Sequence, residues 1–174
     1  MGVYRLFAGV IIAAVFILVG CAPRFSTAGG AAYKEPQGFF RCILPSDGWA
    51  FSSRTDITLA LWNKTHASGI AVNVTPLHDD HRLDLLVRHL LIAFDSRTVL
   101  ARREIMVGGR RAQGVVLDGW VEDENIVAEA YVIKGDGVVY DIVGWSPPDT
   151  FAQMERVFHE FVHSIRFLDA GAAR

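Results

Sequence analysis

The sequence of 174 residues has few cysteines and no strong excess of either charge. Its two cysteines, Cys21 and Cys42, allow at most one disulfide bond. The formal net charge is −2, and a mildly acidic chain lacks the basic surface that nucleic-acid binding needs. No Ser-His-Asp order, nucleophile elbow or phosphate-binding glycine loop is present. We therefore expect no nucleic-acid partner and neither serine-hydrolase nor nucleotide-dependent chemistry.

The first 20 residues contain a short uncharged run. Residues 6–20 carry no charged side chain, and Arg5 with the amino terminus supplies the positive charge before them. A helix of about 15 residues spans about 22 Å, less than the roughly 30 Å of a bilayer's hydrocarbon core. A positive segment followed by an apolar run of this length is typical of a secretory signal peptide. Residues 1–20 are therefore predicted to be a signal peptide, with an uncleaved amino-terminal anchor as the alternative.

The sequence Leu18-Val19-Gly20-Cys21 follows this run and resembles the bacterial lipoprotein box. The resemblance implies that Cys21 is lipidated and becomes the mature amino terminus. Each buried methylene adds about 0.8 kcal/mol of membrane affinity, so attachment through several acyl chains is effectively permanent. We expect a lipid-anchored protein on the periplasmic face of the bacterial cell envelope. Ala22 after the cysteine favours the outer over the inner membrane in a Gram-negative host.

The segment after Cys21 is rich in Ala, Gly, Ser and Pro and shows no sustained period. Residues 21–37 are predicted to be the lipidated amino terminus and a flexible tether with a reach of up to about 50 Å. The globular domain is expected to occupy residues 38–169. Removing the signal peptide leaves 16 basic and 19 acidic side chains. It also leaves Cys42 without an intramolecular partner, so we expect an inert core thiol there.

Alternating or short apolar runs predict β-strands throughout the globular part. The predicted strands lie at residues 39–44, 57–62, 70–75, 99–107, 110–121, 126–134, 138–145 and 165–168. Gly108 and Gly109 between two of them suit a type I′ hairpin, which requires positive φ at both turn residues. The connections from residue 99 to 145 are too short for parallel crossovers, so these strands are predicted to form an antiparallel meander.

Two helices are predicted by apolar residues at three- and four-residue spacing. The first covers residues 81–95, with Asp79 or Asp80 as its cap. The second begins after Thr150, which with Gln153 resembles a capping box. Strands and helices in this order imply an α+β fold, in which helices flank an antiparallel sheet.

The same order resembles the PsbP-like fold. The resemblance is carried by a strand ending in LPSDGW, a hairpin turning at VGG, a strand reading VVYDIVGW and the closing segment PPDTFAQMERVFHEFVHSIRFL. It covers about residues 38–168 and implies an α/β/α sandwich. For the characterised members it implies binding or assembly work without catalysis. No diagnostic catalytic motif is shared, so no functional residue can be carried over.

The segment His159-Glu160-Phe161-Val162-His163 matches H-E-x-x-H, the zinc-protease motif. In such enzymes two histidines on one helical face bind Zn²⁺, and the glutamate acts as general base. A third ligand is needed, and Asp169 or a residue such as His78 would have to supply it. Against this, a helical projection places both histidines on the polar flank and Glu160 on the solvent side. The alternative is therefore a solvated helix face without metal.

Three further groups have two interpretations each. The segment 78–81, HDDH, is either a helix start or a metal site. The four arginines Arg102, Arg103, Arg110 and Arg111 form either a basic hairpin tip for a partner or protection of a sheet edge. The four tryptophans Trp49, Trp62, Trp120 and Trp145 are either core residues or the lining of a ligand groove.

The sequence thus predicts a membrane-anchored envelope lipoprotein whose domain is a non-catalytic binding or assembly module. Its partner would be an envelope protein or a small ligand, and it would need no cofactor. The alternative is a Zn-dependent hydrolase with His159, His163 and Asp169 as ligands and Glu160 as base. A purely structural role in a larger envelope complex is a third alternative.

Overall fold

The computed structural model describes residues 30–52, 56–77, 82–90, 94, 96–121 and 123–168. The strands are β1 Ala32–Lys34, β2 Phe40–Ile43, β3 Trp49–Phe51, β4 Leu59–Asn63, β5 Ser68–Pro76, β6 Ser96–Val107, β7 Arg110–Val121, β8 Glu124–Lys134, β9 Val138–Ser146 and β10 Arg166–Phe167. The helices are α1 Leu83–Leu90 and α2 Phe151–Ser164. Neither helix is long and apolar enough to cross a membrane, among the residues described. The predicted signal peptide, Cys21 and the predicted caps Asp79 and Asp80 lie outside these residues.

Seven strands form the main sheet in the order β3-β4-β5-β9-β8-β7-β6, and all their pairings are antiparallel. A second sheet has the order β1-β2-β10. Helix α1 packs on β7 and β8, whereas α2 packs on β8, β9 and β2. Two buried clusters lie on opposite sides of the main sheet, one containing side chains of α1 and the other containing those of α2. The predicted α+β fold with helices flanking an antiparallel sheet is therefore confirmed.

The predicted meander is confirmed for β6 to β9. Gly108 and Gly109 have φ of 53° and 83°, as a type I′ turn requires. Side chains alternate across β8, so that Tyr131 and Ile133 join the cluster under α2 while Ala130 and Val132 join the one under α1. Both faces of the inner strands are therefore covered.

One boundary prediction is wrong. The segment 21–37 was expected to be a tether throughout, but Ala32–Lys34 forms β1, which pairs antiparallel with β2. Tyr33 packs against the core, and its ring lies 5.8 Å from that of Phe51, so the strand is held by this packing as well as by its pairing with β2. The ordered domain therefore begins before residue 38. An extended chain from Cys21 to Gly30 spans at most about 30 Å, which is shorter than the reach of about 50 Å predicted for the whole tether.

The prediction of a capping box at the start of α2 is also wrong. Thr150 makes no side-chain cap bond, and its backbone is in the αR region. Its Oγ1 instead donates to the carbonyl oxygens of His66 and Pro147, at 3.3 and 3.2 Å. Thr150 therefore ties the helix start to the β4–β5 turn, a tertiary contact that the local pattern could not predict.

Candidate functional site

A carboxylate lies in the middle of a strand whose residues are mostly buried. Strand β8 reads ENIVAEAYVIK, and within it Glu129 has a side-chain exposure of 0%. Alternation places Glu129 on the same face as Tyr131, toward α2. Burying an unpaired carboxylate is very costly, so such a residue requires partners. Glu129 and its partners therefore form a candidate site.

Three side chains surround the Glu129 carboxylate. The Tyr131 hydroxyl donates to Oε1 at 2.6 Å, and Arg103 Nη1 lies 3.1 Å from the same oxygen. His159 Nε2 lies 2.7 Å from Oε2. The partners come from β8, β6 and α2, so the carboxylate links the sheet to the helix. We call Arg103, Glu129, Tyr131, Glu155 and His159 the Glu129 cluster.

Arg103 extends the cluster to the protein surface. Its Nη2 donates to Glu155 Oε1 at 2.8 Å, and its side chain is 35% exposed. Partial burial lowers the pKa of the guanidinium, but the bond to Glu155 and the charge of Glu129 outweigh this and raise the pKa overall. Burial, followed by the bond to Glu129, raises the pKa of the Tyr131 phenol. Arg103 is therefore a fixed cation and Tyr131 a fixed hydrogen-bond donor.

The partners of His159 determine whether its Nε2 atom carries a hydrogen. Its Nε2 is close both to Glu129 and to Arg103 Nη1, at 2.7 and 3.1 Å. A guanidinium has no acceptor and an ionised carboxylate has no donor. Nε2 therefore carries hydrogen and donates to Glu129. This nitrogen is committed to the cluster and is not available as a metal ligand while the bond persists.

Two glycines make room for the aromatic side chains of this face. A Cβ on Gly114 would lie 2.5 Å from the Tyr131 ring, and one on Gly144 would lie 2.7 Å from the Phe158 ring. Tyr131 and Phe158 stack with ring centroids 6.0 Å apart. The glycines of β7 and β9 thus let the rings lie on the sheet, and this packing places the Tyr131 hydroxyl at Glu129.

The cluster includes three potential metal ligands. Glu129, Glu155 and His159 offer one ligand atom each within 4.8 Å of one another, and no other such group of three occurs in the described part of the chain. Arg103 bonds or approaches all three of them. Its guanidinium therefore stands where a bound cation would have to stand, and the arrangement is an ion-pair network.

The residues of the HEFVH motif separate in space. His159 bonds to Glu129 while its side chain stays 33% exposed, so it lies at the border between the cluster and solvent. Glu160 is exposed, and His163 is exposed in the last turn of α2. Asp169 and His78 lie outside the described residues. The motif therefore supplies one residue to the cluster, and the zinc hypothesis stays a prediction.

A groove of about 350 Å³ lies on the other flank of α2. Its lining includes the apolar side chains of Trp49, Met154 and Phe161 and the charged groups of Asp47, Arg156 and Glu160. Gly30, the first described residue, also lines it. The groove can hold a small amphipathic ligand. Glu160 belongs to this groove and not to the Glu129 cluster.

The predicted basic hairpin tip is largely neutralised. Arg110 pairs with Asp136 at 2.8 Å, Arg111 pairs with Glu104, and Arg103 pairs with Glu129 and Glu155. Arg102 is exposed. Ion pairing therefore leaves little positive potential at this tip.

The tryptophans divide between the two interpretations. Trp49 and Trp145 are buried, Trp62 is half-buried and Trp120 is exposed. Trp49 also lines the groove.

Cys42 is buried and free, and burial raises the pKa of its thiol to about 12. An inert core thiol at Cys42, as predicted from the sequence, agrees with this environment.

Sequence reasoning missed Glu129 and Asp141. Asp141 lies in β9 next to the buried residues Ile142 and Tyr140, paired with Asn73 and Val132 in the neighbouring strands. The residue is only half-buried by its exposed area, but loss of water around its carboxyl between the strands raises the pKa to about 7. The signal was present in both cases: a single carboxylate inside a strand that is otherwise apolar.

Asp141 should make stability depend on pH. In the unfolded chain its carboxyl ionises near pH 4, but in the folded chain it ionises near pH 7. Between these values the folded state binds more protons, so stability falls as pH rises from about 4 to 7. We expect Asp141→Asn to be more stable than the wild type by about 1–3 kcal/mol at pH 8 and equal to it at pH 4. Urea unfolding at both pH values measures this, with the exposed Asp149→Asn as control, and an equal effect at both would contradict it.

The architecture places the chain in a structural class before any single relative is considered. An antiparallel sheet with helices on both faces, closed by a carboxy-terminal helix and a short strand, is the PsbP-like α+β sandwich. No protein-family model and no curated protein matches the chain.

The chain is similar in fold to several solved structures. Cyanobacterial PsbP (CyanoP) from Synechocystis superposes with a TM-score of 0.60 at 12% identity, covering 86% of this chain and 98% of its own. LpqN from Mycobacterium tuberculosis, described as involved in cell envelope biogenesis, gives 0.59 at 10% identity, covering 79% and 90%. A protein of Bacteroides thetaiotaomicron gives 0.56 at 12% identity, covering 82% and 50%. Identities this low establish a shared fold and transfer no functional residue.

Proposed function

We propose that this chain is a bacterial envelope lipoprotein, anchored by lipid on Cys21, whose PsbP-like domain binds a partner without catalysis. The observation that carries the non-catalytic part is the closure of the Glu129 cluster. Its donors and acceptors satisfy one another at 2.6–3.1 Å. A general acid or base must instead meet a substrate, so this arrangement suits a stabilising network.

The proposed lipid anchor and the proposed envelope localisation rest on the amino-terminal sequence, with support from the fold. The lipobox-like segment ends at Cys21, within about 30 Å of extended chain from the first described residue. LpqN shares the fold and is described as an envelope protein. A tether this short would keep the domain close to its membrane, where an envelope protein or a small ligand in the Trp49-lined groove would be its partner.

Replacing Cys21 with serine tests the anchor. We expect Cys21→Ser to abolish labelling by radioactive palmitate and to stop signal cleavage, because the lipid thioether requires the cysteine sulfur. Labelling in the native host, followed by membrane fractionation, measures both effects. Cys42→Ser is the matched control and should be labelled like the wild type. Processing of Cys21→Ser at the wild-type rate would sink the proposal.

The zinc hydrolase remains the alternative, but the geometry gives it little support. A zinc ion on His159 Nε2 would have to displace the bond to Glu129 and approach the charge of Arg103. His163 is not among the potential ligands that gather around His159 in the described residues. The binding module is therefore the function that the geometry supports best.

A further inference from the structure

Exposed apolar side chains concentrate at one edge of the main sheet. Six large apolar side chains are exposed among the described residues, and four of them lie on β6 or its neighbour β7. They are Val99, Leu100, Met106 and Trp120, with exposures of 40–60%. By alternation Val99 and Met106 lie on the α1 side of the sheet and Trp120 on the α2 side, so they flank this edge from both faces.

Strand β6 is also the long open edge of the sheet. It has 12 residues, whereas β3 at the opposite edge has three. β6 bonds to β7 on one side, and no strand of the described chain pairs with its other side. Unpaired N–H and C=O groups along such an edge are a template for another strand. The helices cover the inner strands, so they leave this edge open.

The usual protection of an edge is only partial in β6. Proteins commonly blunt long edges with charged side chains or with bulges. β6 carries charged side chains of both signs, such as Arg102 and Glu104, and its one bulge lies between Val99 and Ala101, where Leu100 is 56% exposed. From Ala101 to Val107 the pairing with β7 is regular. A straight segment therefore remains available to another strand.

This straight segment is complementary to itself. If two copies pair antiparallel with Arg103 opposite its own copy, Arg102 of each lies opposite Glu104 of the other. Ala101 then lies opposite Ile105, and Leu100 opposite Met106. Opposite charges and apolar pairs directly across an antiparallel ladder are both stabilising. The exposed apolar residues at each end of the segment would cover one another.

The charges favour this register over the neighbouring one. Arg102 has no ion-pair partner among the described residues, whereas Glu104 pairs with Arg111. Centring the pairing on Arg102 would place two unpaired guanidinium groups face to face. Centring it on Arg103 opposes two guanidinium groups that are already neutralised by Glu129 and Glu155. The cost of like charges is therefore lower at Arg103.

We propose that the β6 edge is a homodimer interface, with a two-fold axis at Arg103 that joins the main sheets of two copies into one continuous sheet. A two-fold interface uses the same surface twice, as the paired Arg102 and Glu104 positions require. Pairing the two edges also removes the open template that each copy presents. The proposal does not depend on the lipid anchor and goes beyond the proposed binding function.

Native mass spectrometry of the full-length lipidated protein, released from detergent micelles, tests the interface. We expect a dimer. Arg102→Glu and Glu104→Arg should each raise the dimer dissociation constant at least about tenfold, because two attractive cross-strand pairs become repulsive. The double variant Arg102→Glu/Glu104→Arg should restore the dissociation constant to within about threefold of the wild type, since the pairs are re-formed with reversed sign.

Arg41→Glu is the matched control. Arg41 is likewise an exposed strand arginine, but it lies on β2 in the second sheet, so its reversal should leave the dimer unchanged. Three outcomes would overturn the interface: a monomer at up to about 100 µM, single variants that dimerise like the wild type, or a double variant that stays weak. The intact masses also report the lipid on Cys21. A missing lipid would contradict the anchor without bearing on the interface.

Discussion

Replacing Arg103 with alanine is expected to lower the free energy of unfolding by about 3–5 kcal/mol, because it leaves the Glu129 carboxylate buried without its cation. The Glu129 side chain has no exposed surface, so its charge depends on the guanidinium and on the bonds to Tyr131 and His159. Tyr131 and His159 would keep their hydrogen bonds, but Glu155 would lose its partner as well. Urea unfolding monitored by circular dichroism measures the loss.

An exposed arginine on another strand provides the control. Arg41→Ala removes an exposed guanidinium from β2 and should change stability by no more than about 0.5 kcal/mol. Arg103→Lys keeps the charge but cannot bond two carboxylates with a planar fork, so its loss should be intermediate. If Arg103→Ala lowered the free energy of unfolding no more than Arg41→Ala, the cluster would not be stabilising the fold. Zn²⁺ should also stabilise Arg103→Ala and not the wild type, because removing the guanidinium opens the space between Glu129, Glu155 and His159.

Replacing Phe158 with alanine is expected to cost about 3–5 kcal/mol, the range for deleting a large buried aromatic side chain. Phe158 has 0% exposure and lies in the hollow above Gly144, against Met154 and the Tyr131 ring. The surrounding sheet is rigid, so the cavity would not collapse fully. The loss should appear in thermal unfolding as well as in urea.

Two variants on the same helix separate this effect from a general weakening of α2. Glu160→Ala changes an exposed residue and should stay within about 0.5 kcal/mol of the wild type. Phe158→Leu keeps most of the volume and should cost about 1.5 kcal/mol. A loss below about 1 kcal/mol for Phe158→Ala would show that α2 does not close the core at this point.

Local sequence patterns predicted most elements of the fold. Alternation located β4 to β9, and the pair Gly108-Gly109 identified the hairpin between β6 and β7. Both signals are local, because the period of a strand and the positive φ of a type I′ turn depend on neighbouring residues. The strand β1 was missed because a three-residue strand is too short to show a period. The pairing of β5 with β9 was missed because the two strands are more than 60 residues apart, and no local pattern specifies it.

The candidate site was less predictable than the fold. The HEFVH motif drew attention to His159, but the partner that the structure shows for it, Glu129, lies outside the motif. A helical projection orders residues around one helix, and it does not show which residue of a sheet lies opposite. Glu129 itself could have been found as the lone carboxylate in IVAEAYVIK, which is a stronger signal for a buried ion pair than the motif.

The sequence by itself determined the period of each strand and helix, the turn at Gly108-Gly109 and the α+β class, because these depend on interactions between neighbouring residues. It also carries the only signal for lipidation at Cys21, which stays a prediction. Only the tertiary structure decided that Arg103, Glu129 and His159 meet, that Gly114 and Gly144 accept aromatic rings, and that β6 is left as the open edge. These contacts join residues far apart in the chain, and their energies come from burial and charge in three dimensions, which no local pattern contains.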